Sequence, residues 1–148
     1  MISKEQFEKE IDLIIENALR EDVGEGDHSS LACIPEEAIG KAKLLVKDKG
    51  ILAGVDFALQ VFDKVDPELK VEVLLKDGKT IQRGDVAFFV EGSSQSILKA
   101  ERLVLNAIQR MSAIATKTNT FVQKLEGTNT KILDTRKTTP GIRALEKW

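Results

Sequence analysis

The stretch SILKAERLVLNAIQRMSAIATKTNTFVQKLEG, Ser96 to Gly127, constrains the fold more than any other part of the chain. Ile97, Val104, Ala107, Ile108, Met111, Ile114, Phe121, Val122 and Leu125 recur at i+3 and i+4, the spacing of one helix face. At about 1.5 Å of rise per residue, an unbroken helix here is roughly 45 Å long. A break or kink is expected between Ser112 and Thr118, and Gly127 is a suitable stop. Sheet-like sequence precedes this helix and a helix–strand alternation begins after it. That order predicts two architectures in succession.

The first part opens with another helix, on which Phe7, Ile11, Ile14, Ala18 and Leu19 share a face and Ser3 is the N-cap. It ends before EDVGEGDHSS, Glu21 to Ser30, whose glycines predict a loop. GKAKLLVKDKGILAG reads as strand, turn, strand. VDFALQVFDKV puts Phe57, Val61, Phe62 and Val65 on one side of a short helix that Asp66-Pro67 breaks. LKVEVLL alternates, with Leu69, Val71 and Val73 opposite Lys70 and Glu72. KDGKTI, QRGD and VAFFVEG add short strands between Asp-Gly and Gly-Asp turns. The middle of the chain is therefore expected to be a small, largely antiparallel sheet carrying one helix.

The 148 residues suffice for one ordinary core, and 42% apolar with 31% charged residues is a globular composition. A formal charge of -2 excludes a general nucleic-acid binder, so anion recognition must come from local Lys and Arg clusters. No apolar run approaches the roughly 20 residues that span a bilayer, and the acidic start is unlike a signal peptide. A cytoplasmic protein with no membrane partner is expected. Cys33, the single cysteine, fits a reducing compartment and reads as a buried small residue. Asp22, Glu25 and Asp27 lack the regular spacing of a calcium loop and read as a turn closed by Asp and Ser caps. His28 lies in polar, glycine-rich surroundings with no partner to fix it as a base. Walker, dinucleotide-binding and paired-cysteine motifs are absent from the sequence.

Two groups of residues could carry chemistry. In KILDTRKTTPG, Ile132 and Leu133 read as a buried strand that runs into Asp134, Thr135, Arg136 and Lys137 before Pro140-Gly141 turns the chain. On an extended segment Asp134 and Arg136 share one side, Thr135 and Lys137 the other. Arg offers a planar fork for carboxylate or phosphate and Lys a mobile point charge, so the group suits a small polyanion. It is equally readable as a strand end with solvated charges. On the long helix Arg102, Asn106 and Gln109 form one polar stripe, and by itself that pattern favours a solvent-facing surface over an anion site.

Four stretches, ALREDVGEGDHSS, GILAG, AERLVLNAIQRMSAIAT and LDTRKTTPGIRALEKW, resemble the quinolinate phosphoribosyltransferases in order and spacing. The resemblance implies an α/β fold: an α+β sandwich N-terminal domain over residues 1–108, then from 109–148 the start of an incomplete TIM-like barrel. It implies transfer of phosphoribose from phosphoribosyl pyrophosphate to quinolinate with decarboxylation, giving nicotinate mononucleotide, pyrophosphate and CO2. Mg2+ accompanies the pyrophosphate, with no metal ligand in this segment. By the same resemblance Arg136 and Lys137 are catalytic and bind the anionic groups, Thr135 assists, and Arg102 reaches the neighbouring site of a homodimer. That reverses the reading of the helix stripe. Ala113 stands where the family usually has glycine, a change expected to tighten helix packing. The family continues beyond EKW into further catalytic segments, so the chain reads as an N-terminal portion, inactive alone and exposing apolar surface of its long helix. A nicotinate-type relative is the nearest rival. A biotinyl- or lipoyl-like module is another, but Lys47 and Lys49 lack the flanking residues such carriers use.

Overall fold

The computed structural model describes residues 3–148. Helix α1, Lys4–Val23, starts where Ser3 accepts a hydrogen bond from the Gln6 N–H, and it buries Ile11, Ile14 and Ile15. It runs three residues into the expected loop, because Gly24, at a φ of 53°, is the first glycine to turn the chain. The rest of that loop is partly helical: α2, His28–Cys33, begins with Asp27 accepting from both the N–H and the hydroxyl of Ser30. Cys33 is exposed rather than buried, since it closes this single short turn of helix at the surface.

Five short strands follow: β1 Ile39–Leu45, β2 Gly50–Ile51, β3 Lys70–Val73, β4 Thr80–Ile81 and β5 Val86–Ser93. All their pairings are antiparallel. They form two sheets, ordered β1-β5-β3 and β2-β4. The consecutive strands β1 and β2 therefore do not pair with each other, and no hairpin presents Lys47 or Lys49 as a carrier lysine. The alternation in β3 holds, with Val71 and Val73 half-buried and Lys70 and Glu72 exposed. Helix α3, Val55–Val65, lays Phe57, Val61 and Phe62 into the core, with the Phe62 and Phe88 rings edge-to-face at 5.8 Å. Burying each such side chain contributes about 1.5–3 kcal/mol.

Helix α4, Ser94–Lys124, is continuous through Ser112–Thr118, where a break was expected. The reason lies in where its hydroxyls go. Ser112 Oγ accepts from the Ala53 N–H at 3.0 Å and donates to the Ala53 carbonyl, and Thr116 Oγ1 accepts from the Ile51 N–H at 2.8 Å. One turn apart, these two side chains supply bonds that the two-residue strand β2 lacks, so they weld helix to strand instead of bending the helix. The glycines of GILAG permit the approach. A Cβ on Gly50 would lie 2.4 Å from Thr116 Oγ1, and one on Gly54 would lie 3.2 Å from Ile108 Cα. Gly54 has no side chain to cap α3, and Asp77 caps it instead by accepting from the N–H groups of Val55 and Asp56.

Beyond α4 the chain turns at Gly127, at a φ of 80°, and runs irregularly to α5, Arg143–Lys147. The expected strand at Lys131 to Leu133 does not form, and Leu133 is 87% exposed. An extended segment needs a neighbouring strand for its ladder, and none among the described residues flanks it. Helix α5 is anchored by buried Ala144 and Leu145. Trp148 packs edge-to-face on Phe7 at 5.4 Å and on Phe57 at 6.3 Å, tying the end of the chain to α1 and α3. Phe121 and Val122 remain about half exposed, so the distal part of α4 presents apolar surface as anticipated.

Candidate active site

A cleft of about 1810 Å³ opens between α4 and the irregular segment that follows it. Asn106, Gln109, Arg110 and Ile114 line it from the helix, Asp56 and Asp77 from the α3 end, and Thr135, Lys137, Thr138 and Thr139 from the opposite side. A pocket that encloses one small molecule usually measures about 300–1,000 Å³, so these walls alone leave a ligand largely open to water. Ala113 lines the same cleft and is exposed, so it faces open space on that side rather than the packed helix contact expected.

The segment 134–139 is irregular, yet across residues 135–137 the side chains alternate between two grooves. Lys137 faces the cleft with Thr135, whose hydroxyl accepts from the Lys137 N–H at 3.1 Å. Arg136 lies on the other side, in a separate groove against Phe7, Glu10 and Leu13 of α1. The two adjacent cations are thus turned apart. Lys147 pairs with Asp134 and holds its carboxyl below the ordinary carboxylate range.

Arg102 is not in the cleft. Its Nε donates to Asp22 Oδ2 at 2.9 Å and its Nη2 lies 3.8 Å from Asp27 Oδ2, so the guanidinium is held toward the α1–α2 turn. The Asp22 bond, with that residue's charge, raises the guanidinium pKa further. Asp27 is lowered chiefly by the Ser30 hydroxyl and N–H, with Arg102 adding its charge. Asn106 and Gln109, from the same stripe, do reach the cleft. Four to seven residues further along the axis, at about 1.5 Å each, carry them past the turn that holds Arg102.

Two residues with no signal in the sequence complete the arrangement. Arg110 donates from Nε to Glu146 Oε1 at 2.7 Å and from Nη2 to the Thr139 hydroxyl, while Glu146 Oε2 accepts from the Thr139 N–H at 2.9 Å. Those bonds, the Thr139 N–H first, hold the Glu146 carboxyl below its ordinary value. Both residues have the spacing of ordinary surface charges, and only the return of α5 onto α4 brings them together. Among the described residues no group of three or more His, Cys, Asp or Glu side chains converges on a common point.

The N-terminal domain model of quinolinate phosphoribosyl transferase matches residues 27–112, and the C-terminal domain model matches residues 114–148. The chain belongs to the quinolinate phosphoribosyltransferase family. The two models meet inside α4. The chain is similar to the nicotinate-nucleotide pyrophosphorylase (carboxylating), chloroplastic, of Oryza sativa subsp. japonica, at 43% identity over 91% of this chain and 36% of that protein. It is 36% identical to a probable nicotinate-nucleotide pyrophosphorylase (carboxylating) of Synechocystis, over 93% of this chain and 46% of that one. The crystal structure of NadC from Streptococcus pyogenes matches at a TM-score of 0.89 and 36% identity, covering 99% of this chain and 51% of that one. This family member thus has the mixed helix-and-sheet fold of that structure, and it spans about two fifths of the length of the curated relatives. None of its helices, among the described residues, is long and apolar enough to cross a membrane.

Proposed function

We propose that, within a family-length polypeptide, this segment serves the transfer of phosphoribose from phosphoribosyl pyrophosphate to quinolinate, with loss of CO2 and release of nicotinate mononucleotide and pyrophosphate. The observation that carries the reading is Lys137, a cation flanked by the hydroxyls of Thr135 and Thr138 on one wall of a cleft whose other wall presents Asn106, Gln109 and Arg110. As the bond from the ribosyl carbon to pyrophosphate breaks, negative charge grows on the leaving group, and a fixed ammonium there is worth more than one in water. Thr135 supplies neutral hydrogen bonds. Arg136 is assigned to the carboxylates of quinolinate. In this structure Arg136 lines the separate groove against α1. Mg2+ is read as arriving with the donor's pyrophosphate.

We read the assembly as a homodimer in which Arg102, turned away from the cleft of its own chain, serves the site of its neighbour. The compartment is read as the cytoplasm, on the single exposed thiol of Cys33. The test is steady-state kinetics of a family-length polypeptide carrying this segment. Lys137→Ala and Arg136→Ala are each expected to lower kcat/KM by about 2–4 kcal/mol-equivalents, as lost charged contacts to a transition state do. Unchanged kinetics in both variants would remove the 136–137 pair from the site.

A further inference from the structure

Glu146 is the carboxylate most shielded from water in any ion pair of the structure, its side chain 10% exposed. A carboxylate that buried is costly unless both oxygens are bonded. Here both are, and they bond to two different parts of the chain: Arg110 of α4 on one side, and the Thr139 N–H of the cleft segment on the other. The remaining cations of α5 grip the same segment. Arg143 donates to Thr138 Oγ1 at 3.0 Å and to the Arg136 carbonyl at 3.4 Å, and Lys147 pairs with Asp134. Arg143, Glu146 and Lys147 stand at i, i+3 and i+4, one side of a short helix whose Ala144 and Leu145 are fixed in the core. Lys137 lies between these attachment points.

We propose that Glu146 is a positioning residue: by bridging Arg110 and Thr139 it sets the conformation of segment 134–139 and so aims Lys137 at the donor's anion. The claim rests on the reading of Lys137 given above. It goes beyond that reading because neither Glu146 nor Arg110 need touch substrate. A salt bridge serving stability alone would show its loss throughout the core. A bridge that positions the segment shows it locally, and in donor binding.

Two measurements separate these cases. In the 148-residue chain, Glu146→Gln is expected to speed hydrogen exchange at Thr139 and trypsin cleavage after Lys137 about tenfold, the scale of one charge-assisted hydrogen bond. Exchange across α3 should stay unchanged. Arg110→Lys, which keeps the charge and one donor beside an intact Glu146, should retain part of the protection. In a family-length polypeptide Glu146→Gln should raise KM for phosphoribosyl pyrophosphate severalfold more than it lowers kcat. Unchanged protection of 134–139 overturns the proposal, as does equal acceleration in the segment and in α3, or a loosened segment with unaltered KM. Where Glu146→Gln fails to fold, Glu146→Asp, too short to span both partners, and Arg110→Met, which removes the other half of the bridge, carry the same readouts. Intact kinetics in Lys137→Ala would instead overturn the functional reading, and the exchange result for Glu146 would stand apart from it.

Discussion

Gly54 shows how one residue can hold two elements at a fixed distance. Its φ of 104° lies in the region that L side chains avoid, and a Cβ there would sit 3.0 Å from Met111 Sδ and 3.2 Å from Ile108 Cα. Two separate penalties apply to Gly54→Ala: about 1–2 kcal/mol for a left-handed backbone and about 1–3 kcal/mol for pushing into a packed helix. Gly78 isolates the first, because its φ is 82° and nothing lies within 4 Å of the position a Cβ would take. Urea unfolding is therefore expected to show a larger loss for Gly54→Ala than for Gly78→Ala, with unchanged m in both. Equal losses would mean that the contact between α3's start and α4 gives way without cost. Neither penalty involves the cleft directly, yet α4 carries one of its walls, so the position of Arg110 depends on this contact.

Between elements, α1 and α3 are joined at the surface by Lys64, whose ammonium lies 2.8 Å from both Asp12 Oδ1 and Glu16 Oε1. Those bonds, Asp12 first and Glu16 second, raise the lysine pKa above its ordinary value of 10.5. A raised cation stabilises the fold fully below the unfolded value and ceases to do so as pH rises through the folded one. The melting temperature of the wild type should thus exceed that of Lys64→Met at neutral pH, and the gap should close above pH 10.5. A gap independent of pH would assign the effect to packing of the aliphatic stem. Neither partner of Lys64 was visible as such in the sequence, because they lie 52 and 48 positions away. What was visible was periodicity: the Phe57, Val61, Phe62 face, the β3 alternation and the apolar face of α4 follow from local spacing alone, whereas the continuity of α4 through Ser112–Thr118 does not. Lys131 to Leu133 failed for the complementary reason, since a strand is defined by a neighbour that local sequence does not specify. The site divides along the same line. Lys137 and Thr135 stand out as charge and hydroxyl beside an apolar pair, whereas Arg110 and Glu146 acquire meaning only when α5 folds back.

At the scale of the whole molecule, Arg102 and Lys137 pose a geometric problem that the proposed sharing of sites between subunits would resolve. Both are read as serving one anionic site, yet within a single chain the guanidinium is bonded to Asp22 at 2.9 Å beside the α1–α2 turn, outside the cleft that Lys137 lines. Moving it into its own cleft would break that bond and leave Asp22 and Asp27 facing each other without their cation. In the proposed homodimer each chain would instead lend its Arg102 to the site of its neighbour. In a family-length polypeptide Arg102→Ala and Lys137→Ala should each be nearly inactive. Equal mixing with subunit exchange makes half of the dimers hybrid, and each hybrid has one site with both defects and one with neither. Roughly a quarter of all sites, and of wild-type activity, should then return. Were each site built from one chain alone, every site in the mixture would keep one defect and no activity would return despite exchange. The outcome is decided by which chain supplies the guanidinium, provided each variant alone is nearly inactive.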